Sequence, residues 1–168
     1  IYLLGSLQND LGSSVYLQDI IGHTLSPVPY YNAEEELALH RLVKNLIYSG
    51  VIESAHDCSE GGVWVALMEK TFNRSIGFSV KAPERAADGK PLRVDACWFG
   101  ESQGRVVVSV SPQNRAAFLQ LTATGSTPVT FLGVTTQESI ELDGQHWGSV
   151  RDWKIQYDSA IGVVMNKG

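Results

Sequence analysis

The sequence HDCSEGG, residues 56–62, separates a short strand-like segment at 51–57 from the apolar run at 63–72. Paired glycines allow positive φ angles that other residues rarely adopt. The apolar run has no polar stripe, which is typical of a helix buried on most of its surface. The stretch therefore predicts a strand, a polar turn and a buried helix in that order. This strand–turn–helix unit is the starting point for predicting the fold.

Two interpretations of the turn give it no part in binding a substrate: it is either a structural connector or a metal site. In the first, it is a connector, with Ser59 as the helix N-cap and the glycines in left-handed conformations. In the second, His56, Asp57 and Cys58 are metal ligands. The metal site is disfavoured because neighbouring strand residues point to opposite faces and do not converge on one ion.

Two further interpretations give the turn a chemical role. Ser59 or Cys58 could be a nucleophile with His56 as base, although no G-x-S-x-G elbow is present. Alternatively, the amides of Gly61 and Gly62 could hold an anion at the helix start, where the helix dipole favours negative charge. The local sequence leaves the connector and the anion cradle open.

A second polar turn has a similar design. The segment FGESQGRVVVSV, residues 99–110, places Glu101, Ser102 and Arg105 directly before a strand rich in β-branched residues. This turn could be a solvated connection with Arg105 at a strand edge. It could also meet the first turn at one edge of a sheet, where α/β proteins commonly bind ligands.

Composition narrows the class of protein. The chain has 168 residues, a size typical of one domain, and a formal net charge of −5. Its 13 basic residues are scattered, so nucleic acid is not an expected partner, and no apolar run is long enough for a membrane span. Cys58 and Cys97 lie far apart, which favours a reducing compartment, the cytoplasm. The opening IYLLG resembles the middle of a strand, so we expect a piece of a longer protein.

The remaining segments alternate between helix and strand. Residues 1–31 predict a strand and then an irregular lead-in containing LGSSVYL. Asn32 and Glu35 form a capping-box pattern before a helix that ends at Gly50. Further along the chain we expect a strand at 76–80, a short helix near 93–99 and a strand at 105–111. A helix follows, with Ser111 as N-cap and Pro112 as N1. A hairpin at Asp143-Gly144 and an amphipathic helix come last. The pattern predicts an α/β (α+β) fold with a mixed sheet.

These residues resemble a known family. AHDCSEGGVWVALME, residues 55–69, followed about 35 residues later by WFGESQGRVVVSVSP, is similar to the C-terminal half of the second repeat of phosphoribosylformylglycinamidine synthase. LGSSVYL, residues 11–17, stands where that family has Gly-Gly-Ser-Glu-Tyr-Leu, with Val15 in place of the Glu. The end of the chain, residues 150–165, also resembles the end of that enzyme, so the resemblance covers nearly the whole sequence.

The resemblance implies a fold and a reaction. The fold is a three-layer α/β/α sandwich of the C-terminal type in the aminoimidazole ribonucleotide synthetase superfamily, partly ferredoxin-like, with residues 1–168 forming a single domain. The implied enzyme is an ATP-dependent C–N ligase of purine biosynthesis. It converts formylglycinamide ribonucleotide, ATP and glutamine-derived ammonia to formylglycinamidine ribonucleotide, ADP and phosphate.

The resemblance also implies partners and site residues. The full-length enzyme uses ATP and Mg²⁺, held by an N-terminal nucleotide-binding domain of the same chain, and receives ammonia from a glutaminase domain or subunit. This fragment alone holds neither cofactor and is expected to be inactive. No catalytic residue or metal ligand is assigned. The loop implied for substrate or phosphate comprises His56, Asp57, Ser59, Gly61 and Gly62, and the second loop comprises Glu101, Ser102 and Arg105.

Two alternatives stay open. The chain could belong to a sister enzyme, such as aminoimidazole ribonucleotide synthetase, selenophosphate synthetase or thiamine-phosphate kinase. It could instead be a non-catalytic repeat that stabilises a pseudo-dimer, with the glycine turns as connectors. The substitution at Val15 favours the second alternative.

Overall fold

The computed structural model describes residues 1–166. Within them the α-helices are α1 Ala33–Tyr48, α2 Gly62–Phe72, α3 Val94–Phe99, α4 Arg115–Thr122 and α5 Val150–Met165. The strands are β1 Tyr2–Leu4, β2 Ser54–Asp57, β3 Gly77–Val80, β4 Val106–Ser109, β5 Val129–Phe131, β6 Gly133–Thr136, β7 Ser139–Leu142 and β8 Gln145–Ser149. The lead-in contains a π-helical turn at Tyr16–Ile20.

The chain divides into two compact units, of which the first comprises Ile1–Leu67 and Ala82–Leu132. Its sheet has the order β2-β4-β1-β5 and is antiparallel throughout. Leu3 pairs with Val107 across the sheet, and both are fully buried. Tyr2 and Leu4 alternate with Leu3 and are also buried, so both faces of this sheet are covered.

Helix α1 packs on one face of this sheet. Leu39, Leu42 and Leu46 recur at helical spacing and join Leu4 in the hydrophobic core. The predicted N-cap is confirmed, because Asn32 Oδ1 accepts the amide of Glu34 at 2.9 Å and that of Glu35 at 3.3 Å. The cap fixes where α1 begins, beside the sheet edge described below.

Helix α4 begins later than expected. Residues 112–114 form a turn in which the Asn114 amide donates to the Ser111 carbonyl at 3.1 Å, and Asn114 is the residue before the helix. The expectation of Ser111 as N-cap was therefore wrong by three residues. The sequence pattern assigned residues 112–114 to the helix, but they form a turn closed by a main-chain hydrogen bond instead.

The second unit comprises Met68–Lys81 and the chain from Gly133 onward. Its sheet has the order β6-β3-β7-β8, with β3 and β7 parallel and the other pairs antiparallel. The predicted hairpin joins β7 to β8, with φ of 52° at Asp143 and 80° at Gly144, as a two-residue primed turn requires. Ser149 caps α5 by accepting the amide of Asp152 at 3.2 Å.

The mixed α/β class predicted from the sequence is confirmed, with the strands distributed over two four-stranded sheets. None of the helices in residues 1–166 is long and apolar enough to cross a membrane. The functional motifs lie in the first unit, at one edge of the antiparallel sheet.

Candidate functional site at one edge of the antiparallel sheet

Four connections meet where the strands of the first sheet begin or end. Leu4, the last residue of β1, pairs with Val106, the first of β4, and with Val129, the first of β5. Asp57, the last residue of β2, also pairs with Val106. The turn after β2 and the turn before β4 are thus neighbours, which confirms the expectation that the two polar turns share a sheet edge.

The glycine pair adopts the predicted conformations, with φ of 78° at Gly61 and 66° at Gly62. Their amides, however, bind groups of the chain itself. The Gly61 amide donates to Glu101 Oε1 at 2.9 Å, and the Gly62 amide donates to the carbonyl of Ser59 at 3.0 Å. A carboxylate and a carbonyl of the same chain therefore already accept these two amides, so an external anion could bind them only by displacing those acceptors.

Gly62 is required by packing. A β-carbon at this position would lie 2.5 Å from the carbonyl oxygen of Gly100 and 2.8 Å from that of Trp98. Gly62 is buried, so main chain meets main chain between the two motifs. The second glycine of the pair thus allows α2 to start directly against the end of α3.

Glu101 connects three segments. Besides Gly61, its Oε1 accepts the amide of Val15 at 2.8 Å. Tyr16 stacks on Phe99 with ring centroids 4.9 Å apart and an interplanar angle of 8°. Glu101 was expected to face a ligand, and it acts here as an internal anion that holds the lead-in and both turns together. Because the contact at position 15 uses the main chain, Val15 makes it as well as a Glu would.

Arg105 is also internal, contrary to the expectation that it contacts a ligand. Its side chain is 2% exposed. Its Nε donates to the Ser102 carbonyl at 2.9 Å, and its Nη2 donates to the Gly100 carbonyl. Burial lowers the pKa of Arg105, and the nearby Cys58 opposes that shift. The guanidinium braces the second turn from inside because its fork matches two converging carbonyls.

Ser102 is 3% exposed and lies in the same turn. Within residues 1–166 its buried hydroxyl oxygen has no hydrogen-bond partner. A buried hydroxyl without a partner is uncommon in folded proteins. Of the second loop, Glu101 and Arg105 bind within the chain, and Ser102 is left with an unsatisfied polar atom.

Asp57, Ser59 and Glu60 are the exposed polar residues of the first turn. The Ser59 hydroxyl donates to Asp57 Oδ2 at 2.8 Å, while the amide of Gly62, the first residue of α2, donates to the Ser59 carbonyl at 3.0 Å. This hydrogen bond is the main reason why the pKa of Asp57 lies below its usual value. His56 is half-buried, with Nδ1 2.7 Å from the Asp57 carbonyl oxygen. The edge therefore presents an ionised carboxylate held by a hydroxyl.

The lead-in is tied to the same edge by a residue that sequence reasoning missed. Asp10 Oδ1 accepts the amide of Gly12 at 2.8 Å, and its Oδ2 accepts the amide of Tyr30 at 3.1 Å. The Asp-Leu-Gly sequence at 10–12 is a pattern typical of an Asp side chain binding its own turn, and it could have indicated this role. Residues 1–166 contain no group of three or more His, Cys, Asp or Glu side chains positioned to hold a metal ion.

A cavity of about 260 Å³ opens beside the second turn. It is lined by Gly5 after β1, by Ser102, Gln103 and Gly104 of the second turn, by residues around the start of α1, and by the 126–128 turn before β5. The sequence identified the second turn but not the other walls, which come together only when β1, β4 and β5 pair. The first turn does not line this cavity.

Comparison with known proteins defines the class. Residues 1–143 match the family described as AIR synthase related protein, C-terminal domain. The chain belongs to this family, and the expected C-terminal type of fold is confirmed.

Curated relatives are more specific. The chain is 32% identical over 177 residues to the phosphoribosylformylglycinamidine synthase subunit PurL of Anaeromyxobacter dehalogenans, covering 99% of this chain and 22% of the relative. It is 32% identical over 145 residues to the subunit of the same name from Rhodopseudomonas palustris, covering 86% of this chain and 19% of the relative. The chain thus spans about a fifth of the length of the relatives it matches.

Solved structures share the fold. Thermotoga maritima PurL complexed with FGAR matches with a TM-score of 0.70 and 19% identity over 90% of this chain and 27% of that one. A thiamine-monophosphate kinase from Stenotrophomonas maltophilia matches with a TM-score of 0.54 and 16% identity over 86% of this chain and 49% of that one. At these identities the likeness concerns the fold alone.

Proposed function

We propose that this chain is the C-terminal domain of a phosphoribosylformylglycinamidine synthase. The parent enzyme is an ATP-dependent ligase that converts formylglycinamide ribonucleotide and ammonia to formylglycinamidine ribonucleotide, with ADP and phosphate as the other products. The observation that carries the proposal is the match to PurL subunits along 99% of this chain at 32% identity. The meeting of the two motifs at one sheet edge supports it, because the edge provides a single place for a substrate contact.

The substrate contact proposed for this domain centres on Asp57 and Ser59. An ionised carboxylate at a strand end accepts hydrogen bonds from a ribose hydroxyl or an amine. The Ser59 hydroxyl donates to Asp57 Oδ2 at 2.8 Å, and Asp57 Oδ1, which lies 4.0 Å from His56 Nδ1, is the oxygen proposed to accept from a ligand donor. His56, with its ring nitrogen on the Asp57 carbonyl, orients the strand end. Gly61 and Gly62 contribute by shaping the turn, since their amides bind within the chain.

ATP and Mg²⁺ are expected in the full-length enzyme, held by an N-terminal nucleotide-binding domain. Within residues 1–166 no three His, Cys, Asp or Glu side chains are grouped to hold a metal ion. The exposed side chains of the first turn include Asp57 and Glu60, whose charge does not suit a triphosphate without a bound cation. No step through either cofactor is therefore assigned to this chain, whose residues position the acceptor substrate.

The proposed partners are the nucleotide-binding domain of the same polypeptide and a glutaminase domain or subunit that supplies ammonia. The structure of PurLQS from Thermotoga maritima shares the fold of this chain, with a TM-score of 0.64 and 19% identity over 89% of this chain and 25% of that one. The proposed location is the cytoplasm, where Cys58 and Cys97, which form no disulfide within residues 1–166, are kept reduced.

One observation favours a second candidate function, a non-catalytic repeat. The Gly61 amide, the Glu101 carboxylate and the Arg105 guanidinium all bind within the chain, as connectors would. In that case the sheet edge only stabilises the parent protein. Asp57 distinguishes the two candidates, because its exposed carboxylate is not needed for packing.

The test uses the full-length parent enzyme with Asp57→Asn. We expect KM for formylglycinamide ribonucleotide to rise about tenfold, because a hydrogen bond to a charged acceptor contributes roughly 1.5 kcal/mol or more. The matched control is Asp152→Asn, which alters a second Asp that accepts a serine hydroxyl, at 2.7 Å from Ser149. Unchanged kinetics in both variants would favour the non-catalytic repeat. Failure of the wild-type parent gene to rescue a purine auxotroph would reject the enzyme assignment.

A further inference from the structure

The cavity beside the second turn is lined by acidic but not by basic side chains, which is unusual for a site in a nucleotide enzyme. Its lining residues include the two acidic residues Glu35 and Glu36 and no Lys or Arg. Glu36 is half-buried, and a β-carbon on Gly104 would lie 3.4 Å from its Oε1, so this carboxylate stands against the second turn. A phosphate placed here would meet negative charge without a compensating cation.

The same walls carry polar side chains that the fold leaves available. Gln8, Gln103 and Thr127 line the cavity, and within residues 1–166 their side chains hydrogen bond to no other group. They come from three separate connections, after β1, before β4 and before β5, which converge at the sheet edge. A few convergent polar groups in a recess are typical of a small-molecule site.

Not every polar group is available. Glu35 Oε1 already accepts the Tyr30 hydroxyl at 3.0 Å and the side-chain amide of Asn32 at 3.3 Å. Glu36 Oε2 lies 3.4 Å from His40 Nε2, which leaves Oε1 on the side of Gly104. Besides the carboxamides of Gln8 and Gln103, the Thr127 hydroxyl and Glu36 Oε1, the lining includes the serines Ser6, Ser102 and Ser126. Such a set of oxygen and amide groups suits a ligand with hydroxyl or N–H donors.

We propose that this cavity binds the uncharged, hydrogen-bonding part of the substrate, a sugar hydroxyl or carboxamide group, and excludes its phosphate. The volume of about 260 Å³ is sufficient for a pentose or a glycinamide group but lies below the size range of sites for whole drug-sized ligands. This inference rests on the proposed function, which supplies formylglycinamide ribonucleotide as the substrate. It assigns the phosphate to a position outside these walls.

The experiment measures binding to the full-length parent enzyme by titration calorimetry. The variants are Thr127→Val and Gln103→Leu, which remove hydrogen-bonding groups with little change in size. The controls are Thr135→Val on β6 and Gln156→Leu on α5, the same exchanges at exposed positions in the second unit. The probes are formylglycinamide ribonucleotide and inorganic phosphate, titrated separately.

We expect Kd for formylglycinamide ribonucleotide to rise about 3- to 10-fold in each cavity variant, as the loss of one hydrogen bond predicts, and to stay unchanged in the controls. Kd for inorganic phosphate should be the same in all variants. Unchanged substrate affinity in Thr127→Val and Gln103→Leu overturns this inference alone and leaves the proposed function intact. Weakened phosphate binding in step with the substrate also overturns it, because the cavity would then hold the phosphate. A wild-type parent that does not bind formylglycinamide ribonucleotide overturns the proposed function itself and the inference with it.

Discussion

The Glu101 carboxylate accepts the main-chain amide of Gly61 at 2.9 Å, across a sequence separation of 40 residues. The same oxygen also accepts the amide of Val15. A helix start that could attract a phosphate is thus occupied by an acceptor from the chain itself. The doubled glycine and the acidic second turn are thus joined by a hydrogen bond between them. Mutation of Glu101 is therefore expected to change the stability of the fold.

Replacing Glu101 should show whether it stabilises the fold as a hydrogen-bond acceptor or through its negative charge. Glu101→Ala removes the acceptor for two amides, one of them partly buried, and should lower the free energy of unfolding by about 1–3 kcal/mol. Glu101→Gln keeps an oxygen that can accept both amides and should recover most of that loss. Urea denaturation of the 168-residue chain measures both, with the exposed neighbour Glu60→Ala as control, expected within about 0.5 kcal/mol of wild type. Equal losses in the Ala and Gln variants would show that the negative charge is what matters.

Gly62 and Gly50 offer a paired test of close packing. Both have positive φ, 66° and 64°, but a β-carbon at Gly62 meets two carbonyl oxygens, whereas at Gly50 it meets nothing within 4 Å. Gly50→Ala should cost about 1–2 kcal/mol, the conformational penalty alone. Gly62→Ala should cost more than about 3 kcal/mol, since strain and steric overlap add. The difference in denaturation midpoint measures the steric part, and similar losses at the two sites would contradict the main-chain contact with Trp98 and Gly100.

Much of this local structure follows from the sequence because it depends on neighbours in the chain. Asn32 caps the helix that starts at the next residue, and Asp143-Gly144 turns a hairpin, so short patterns suffice to predict both. The contact between Glu101 and Gly61 depends on β2 and β4 lying side by side, which no local pattern contains. The sequence showed that both turns were polar, but not that they bind each other.

The burial of Arg105 shows the same limit. A basic residue after a glycine-rich turn is more often exposed, and sequence reasoning placed it at a ligand. The carbonyls of Gly100 and Ser102 converge on it only after the turn has folded over the guanidinium. The cavity walls and the division of the strands between two sheets likewise come from long-range pairing.

Mutation of Arg105 should therefore lower the stability of the fold, and this should be its main effect. Arg105→Lys cannot replace a two-pronged contact with two carbonyls, and it leaves at least one of them unsatisfied in the interior. We expect a loss of about 1–3 kcal/mol in the free energy of unfolding. The exposed Arg93, which pairs with Asp95 at 2.7 Å, is the control, and Arg93→Lys should change stability by less than about 1 kcal/mol. A stable Arg105→Lys variant with weakened substrate binding would instead restore a ligand role for this residue.

The lowered pKa of Asp57 gives a prediction for pH. In the folded chain the Ser59 hydroxyl stabilises the ionised carboxylate, so the folded pKa lies below the ordinary value of about 3.9. The resulting contribution to stability is fully present above that ordinary value and is lost as the pH falls through the folded pKa. Ser59→Ala should raise the pKa of Asp57 towards its ordinary value, as NMR titration of the carboxyl resonance would show. The pKa of Asp95, held low mainly by Arg93, should not move in the same variant. If the Asp57 resonance titrates identically with and without the hydroxyl, the hydrogen bond does not exist in solution.

The main-chain contact at Gly62 has a consequence for recognising ligand sites in unfamiliar proteins. A search pattern that takes adjacent glycines before a helix as a mark of phosphate binding would select this chain, although here the missing side chain makes room for two carbonyl oxygens. Only the partner of each amide separates the two cases. Replacing Glu101 by a residue that accepts no hydrogen bond would remove the acceptor that the Gly61 amide has in this chain.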